Sequence, residues 1–357
     1  MKYKQMQTVV CFLPMFSIVT SIQILAQSTP SEFAEMSFLE LFDISLDETI
    51  EEHIHTSPWN LAYQFKTAVF EGYLDGNESL SFDDVLWNAP NELRTNKNFP
   101  VLPTIIKQQA HVIALAYQFN KHWNGNISIP YINQKTDHIS IVNNYNFFTI
   151  ETDGLGDTSL SATYRWNNSI TSSWRFAFGL SLPTGSIDEV GDTPRDLGDQ
   201  QLPFTMQLGS GTYDFPLELS YQNSHADGFK FSMKANIRTG KNKRHYRLGN
   251  NYNLNGRYEA ELSPAFRTFA GVAFKYTESI HGQDDDLLLN GAFKYPASIT
   301  NPHLYGGKKI SLRLGLTMQL SEDIQINVEL GKPFYQDLNG PQPKEKLQSA
   351  IYISKQI

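Results

Sequence analysis

The sequence predicts an all-β chain: a transmembrane, antiparallel, up-and-down β-barrel of twelve strands, with a short N-terminal periplasmic or plug-like helical segment. Three observations carry this reading. Residues Lys309 to Leu320 alternate strictly: even positions from Ile310 to Leu320 are apolar, and odd positions from Lys309 to Gln319 are polar, charged or glycine. Successive side chains of a strand point to opposite faces, so one face is greasy and the other wet. Length is the second observation. Twelve residues at ~3.3 Å each span roughly 40 Å, or about 28 Å of height at a 45° tilt, which is the depth of a bilayer's apolar core. Third, the links between such runs alternate short and long, as in bacterial barrels with short periplasmic turns and long outer loops.

The strands follow in order. The first is expected at Trp59–Lys66, with Leu61, Tyr63 and Phe65 on one face; the second at Ile105–Phe119 and the third at Trp123–Asn133. The fourth is Gly156–Trp166 and the fifth Trp174–Leu182. The sixth is ambiguous, because Phe204, Met206 and Leu208 put even positions on the greasy face while Leu217, Leu219 and Tyr221 put odd ones there. Long and short links alternate without a break only if Leu202–Gln222 is one strand whose face flips at a bulge. The seventh is Phe229–Arg238, the eighth Arg247–Ala260 and the ninth Phe266–Thr277. The tenth is Lys309–Leu320, the eleventh Ile324–Gly331 and the last Leu347–Ile357. Lys355 shares a face with Ile353 and Ile357, so it is expected at the rim, where a lipid-facing lysine costs about 0–1 kcal/mol.

The N-terminus reads as a secretory signal over residues 1–26: Lys2 and Lys4, an apolar stretch from Thr8 to Leu25, and Ile24-Leu25-Ala26 before the expected cut. No later apolar run is long enough for a transmembrane helix. The only cysteine, Cys11, lies inside that signal, so disulfides, thiolate metal sites and cysteine nucleophiles are excluded from the expected mature chain. Residues 27–56 form an acidic segment. Between Ser31 and Thr56 stand eight acids and no Lys or Arg, and Phe38, Leu41, Phe42 and Leu46 recur at helical spacing. The barrel is expected over 57–357.

The formal net charge of −8 argues against a nucleic-acid partner. The wet faces nevertheless carry Lys66, Arg165, Arg175, Lys230, Lys234, Arg238, Arg257, Arg267, Lys275, Lys309 and Arg313, against Glu218, Glu259, Glu261 and Glu329. Such a lumen favours anions, and a narrow low-dielectric pore focuses the field. The competing reading is a sealed barrel held by internal salt bridges. Asp75 to Asp83 places oxygen ligands at every second position but lacks the glycine and the final glutamate of a calcium loop, so it reads as a solvated loop. The nine histidines are scattered, and no nucleophile, metal or cofactor constellation appears.

Four segments carry a resemblance: Gly154-Leu155-Gly156-Asp157, Leu182-Pro183-Thr184-Gly185, Leu208-Gly209-Ser210-Gly211-Thr212-Tyr213-Asp214, and Pro333-Phe334-Tyr335-Gln336-Asp337-Leu338-Asn339-Gly340. From about Pro130 to the C-terminus the chain resembles the outer-membrane transporter-like barrels named after the phenol meta-cleavage pathway. The usual aromatic C-terminal residue is replaced by Ile357. The resemblance implies an outer-membrane barrel for uptake of aromatic or other hydrophobic solutes, and it carries over no catalytic or ligand residue. The chain is therefore expected to be an outer-membrane channel or transporter for small aromatic or anionic solutes, with Ser31–Thr56 and Pro183–Gln201 as gates. Its partners are the lipid bilayer, the barrel-assembly machinery and the solute. The alternatives are a non-conducting structural or interaction barrel and, behind it, an outer-membrane enzyme.

Overall fold

The computed structural model describes residues 57–169, 172–223 and 227–357. The expected signal (1–26) and acidic segment (27–56) lie outside them. Eleven strands build the wall: β1 Trp59–Gly76, β2 Val101–Gln118, β3 Trp123–Ser140, β4 Thr158–Ser169, β5 Ser172–Leu182, β6 Asp214–Asn223, β7 Gly228–Arg238, β8 Asn251–Ser263, β9 Phe266–Thr277, β10 Gly307–Ser321 and β11 Ile324–Gln356. Each pairs with its sequence neighbours in antiparallel fashion, and β11 pairs back onto β1, closing the sheet.

β11 crosses the wall twice. Residues from Ile324 to Leu338 pair with β10, and those from Leu338 to Gln356 pair with β1. The reversal passes Gly340, at a φ of +143° that side chains rarely adopt. The wall is thus crossed twelve times, as the loop parity predicts. The last two crossings are one continuous strand rather than the two short ones expected. Pro341 and Pro343, which read as loop, sit inside it.

Four other strands need correction. β1 and β3 are 18 residues each and run well past the expected Lys66 and Asn133. The upper half of β3 pairs with an added strand, Phe147–Leu155, so part of the expected long link is a hairpin standing above the wall. The eighth strand begins at Asn251, and Arg247 belongs to a separate two-residue pairing with His281. The largest correction is the sixth strand. Only Asp214–Asn223 joins the wall, and residues 202–208 leave the sheet, with a short 3-10 turn at Phe204–Met206.

The lipid-facing side is legible in exposure. On β10, Leu312, Leu314 and Leu320 are exposed, while Lys309, Ser311 and Arg313 turn inward. An exposed apolar face of this extent marks an interaction surface, and one that runs along the strands of a closed barrel fits lipid. At the end carrying the short turns, aromatics meet across neighbouring strands: Trp59 with Tyr117, Trp123 with Tyr164, Trp166 with Trp174, Trp174 with Tyr221, and Phe229 with Tyr258. Tyr and Trp favour the membrane–water interface because one end of the ring is apolar and the other wet. Lys355 pairs with Leu61 at this same end and is exposed, close to the rim as expected.

Candidate functional site

The inward positions of the strands define a lumen with two contrasting regions. Towards the short-turn end the lining is polar and charged. Towards the outer loops it is apolar and filled.

The filled region forms because the segment after Gln201 dives between the strands. Phe204, Met206 and Leu208, expected to face lipid, are almost wholly buried. Phe204 packs with Phe70 and Ile106 from the wall and with Tyr246, Leu248, Ile280, Leu287, Ile299 and Tyr305 from later outer loops. Its ring meets Tyr246 and Tyr305 edge-on, at centroid distances of 4.8 and 5.8 Å. Leu208 packs on Ala110, Val112 and Ile132. The backbone of this plug is satisfied by side chains of the wall and of the added hairpin: Gln134 Nε2 donates to Gln207 O (2.9 Å) and Thr152 Oγ1 to Met206 O (2.9 Å). The expected gate, Pro183–Gln201, stays at the mouth, so the segment that fills the lumen begins where that prediction ended.

Three of the four resembling segments meet in one knot. The buried Asp157 carboxylate accepts from Gly185 N (2.9 Å), Ser210 N (2.8 Å) and Ser210 Oγ (2.7 Å). Thr184 Oγ1 donates to Gly156 O (3.0 Å) and accepts from Thr158 N (2.8 Å). Gly185 and Gly209 pack backbone against backbone. A Cβ on Gly209 would lie 2.4 Å from Gly185 O, so only glycine fits there. No local pattern in the sequence signals that these three segments converge on one carboxylate.

A second clamp joins the outer loops. Arg244 bonds Asp188 (2.8 Å) and Asp286 (2.9 Å), and Lys243 also pairs with Asp188. Lys243 and Arg244 hold the Asp188 carboxyl below its ordinary range, while burial pushes that of Asp284 up. Asp75, from the calcium-like stretch, pairs with Lys97, and no group of His, Cys, Asp or Glu suited to a metal occurs among the described residues.

The charged region contains most of the expected selectivity residues. Lys66, Lys234, Lys275, Lys309, Arg313 and Glu329 line one cavity of about 110 Å³. Lys230 and Arg257 line a smaller space beside it, which Arg313 also touches. Arg165 and Arg175 stand opposite each other on β4 and β5. Arg238 does not belong with them. It is fully buried against Asp214 (2.7 Å) and Gly249 O (2.6 Å), where it anchors a strand end out of reach of a solute.

Much of this charge is paired. Lys309 meets Glu345 at 3.0 Å, Lys234 meets Glu218 at 3.4 Å, Arg257 meets Glu259 at 2.5 Å, and Arg313 pairs with Glu329. Glu345 went unnoticed in the sequence because it follows Pro343 in a stretch that reads as loop. Four like-charge pairs nevertheless sit directly across the ladder: Arg165 with Arg175, Lys230 with Arg257 and Lys275 with Lys309 among the inward positions, and Lys107 with Lys135, where Lys107 is exposed. Like charges directly opposite destabilise a sheet.

A closed antiparallel wall with an apolar outer face, an interfacial aromatic belt and loops folded into its lumen defines a β-barrel of the outer-membrane class. More particularly, the chain belongs to the family described as the MetA-pathway of phenol degradation, whose pattern matches residues 91–337. Among solved structures it is similar to an outer membrane channel from Pseudomonas putida F1. The TM-score is 0.57 at 12% identity, covering 87% of this chain and 99% of that one. The transport unit of the autotransporter AIDA-I from Escherichia coli gives a TM-score of 0.43 at 9% identity, covering 89% and 94%. A Pseudomonas aeruginosa FadL homologue gives 0.40 at 10%, covering 84% and 90%. At these identities the likeness is one of fold, and only the first is close enough to bear on it. No curated protein matches the sequence.

Proposed function

We propose that this protein is an outer-membrane channel for small solutes that prefers anions and is occluded at rest by its own outer loops. The observation that carries the reading is the set of opposed cations in the lumen, above all Lys275 and Lys309 beside the 110 Å³ cavity. The cations expected to set selectivity are those that reach this space, Lys66, Lys234, Lys275, Lys309 and Arg313, and Lys230 in the smaller space beside it, with Glu329 as a countercharge. Export through a cleaved signal at residues 1–26 and insertion by the barrel-assembly machinery belong to the same proposal.

The non-conducting barrel has its own supporting observation: the ion pairs Lys309–Glu345 and Arg313–Glu329, together with the filled outer half. Planar-bilayer recording separates the two. The channel reading expects discrete openings and, in a potassium chloride gradient, a reversal potential of anion sign. Absence of current and of solute flux would sink it, and a cation-selective current would refute the basic-lumen argument.

A further inference from the structure

The two regions of the lumen meet at Lys275 and Lys309. These residues line the charged cavity and also a second one of about 50 Å³, whose other walls include Phe70, Ile106, Ile299, Tyr305 and Leu338. Two lysines at paired positions on neighbouring strands therefore stand at the border between a polar space and an apolar one, with Lys309 Nζ held by Glu345 at 3.0 Å. For comparison, an apolar cavity of about 150 Å³ accepts benzene; the apolar space alone is about a third of that, and only together with the polar space does the volume reach it.

Physical chemistry restricts what rests comfortably there. A small hydrophilic anion such as acetate gains from the lysines and leaves the apolar walls without a guest. A neutral aromatic gains from the walls but must lie against charged groups that it does not hydrogen-bond. A solute with a carboxylate at one end and an apolar body at the other satisfies both. Its head forms the charge-assisted hydrogen bonds that a lysine makes with a carboxylate, and its body leaves water.

We propose that Lys275 and Lys309 form a binding site for organic monocarboxylates with an apolar body, aromatic or short-chain aliphatic. The carboxylate lies between the two ammonium groups and the body points to Phe70, Ile299 and Tyr305. This deepens the channel reading and rests on it for its place in transport, but the binding itself is measured apart from conduction.

The experiment is equilibrium binding to the folded protein in neutral detergent, followed by ligand-observed NMR with benzoate, benzyl alcohol and acetate. Benzoate is expected to bind at least about tenfold more tightly than either analogue, since each 1.4 kcal/mol of added interaction is a factor of ten. Lys275→Met is expected to weaken benzoate about tenfold while leaving benzyl alcohol unchanged, and Lys309→Arg to retain most of the affinity. Benzoate and benzyl alcohol binding equally, or acetate matching benzoate, overturns the inference on wild-type protein alone, whatever the variants' folding. Benzoate affinity unchanged in folded Lys275→Met overturns it too. Benzoate binding without any bilayer current overturns the channel reading and leaves the site standing.

Discussion

The inner and outer halves of the lumen are built from the same barrel by opposite means. The half near the short turns is lined by regular strand positions, polar and charged, with cavities between them. The half near the outer loops is filled by chain that has left the sheet, and its contacts are apolar side chains and backbone bonds to Gln134 and Thr152. The first is a property of the wall and persists whatever the loops do. The second depends on long-range anchoring and can be lost while the wall stays closed. Permeation and selectivity should therefore be separable by mutation.

The largest effect is expected at the knot. Asp157→Ala removes an acceptor of three hydrogen bonds, and bonds to charged groups are worth roughly 1.5–3 kcal/mol each. The plug should detach, giving a conductance several-fold above wild type and new protease cuts between Pro183 and Asp214. A variant with wild-type current and wild-type protease resistance would break the comparison. Phe204→Ala acts inside the plug, where emptying a buried phenylalanine site costs about 3–5 kcal/mol. Part of this will be absorbed by local loosening, so more frequent openings are expected with ion selectivity unchanged. Selectivity that moves with Phe204 would show the halves are not separable.

In the charged half the expectation reverses. Lys66→Glu combined with Lys230→Glu should lower the anion-to-cation permeability ratio several-fold, read as a shifted reversal potential, and leave single-channel amplitude within about twofold. The smallest effect is expected at the rim. Lys355→Leu should change unfolding stability in vesicles by less than about 1 kcal/mol, because a lipid-facing lysine near the interface costs little. A gain of 2 kcal/mol or more would place Lys355 deeper in the bilayer than the strand register suggests.

The wall was readable because a strand in a membrane barrel repeats every two residues over a dozen positions, as Lys309 to Leu320 does. The plug was not, for a specific reason. Phe204, Met206 and Leu208 also alternate with Thr205 and Gln207, so a buried turn imitates a lipid-facing strand. Pro203 was the local warning, since proline lacks the donor that a central strand needs. Parity arithmetic, which required one strand from Leu202 to Gln222, then reinforced the imitation. The return crossing after Gly340 was hidden the opposite way, by Pro341 and Pro343 inside what is in fact a strand. In the site, the inward cations were identified from alternation alone. Their partners were not, because Lys309 and Glu345 are 36 residues apart and Asp157 and Ser210 are 53 apart. No local period records such distances.

The seam between β1 and β11 has a further consequence, for assembly. Ser57 and Ile357 are hydrogen-bonded across a separation of 300 residues, so the first strand waits for the last before either edge is covered. Until then the sheet has two open edges of unpaired backbone groups, which recruit other strands. Contacts this distant in sequence also form slowly. A chain cut a few residues short would be expected to remain an open, sticky ribbon rather than a slightly weakened barrel, making Ile351 to Ile357 a checkpoint for completion.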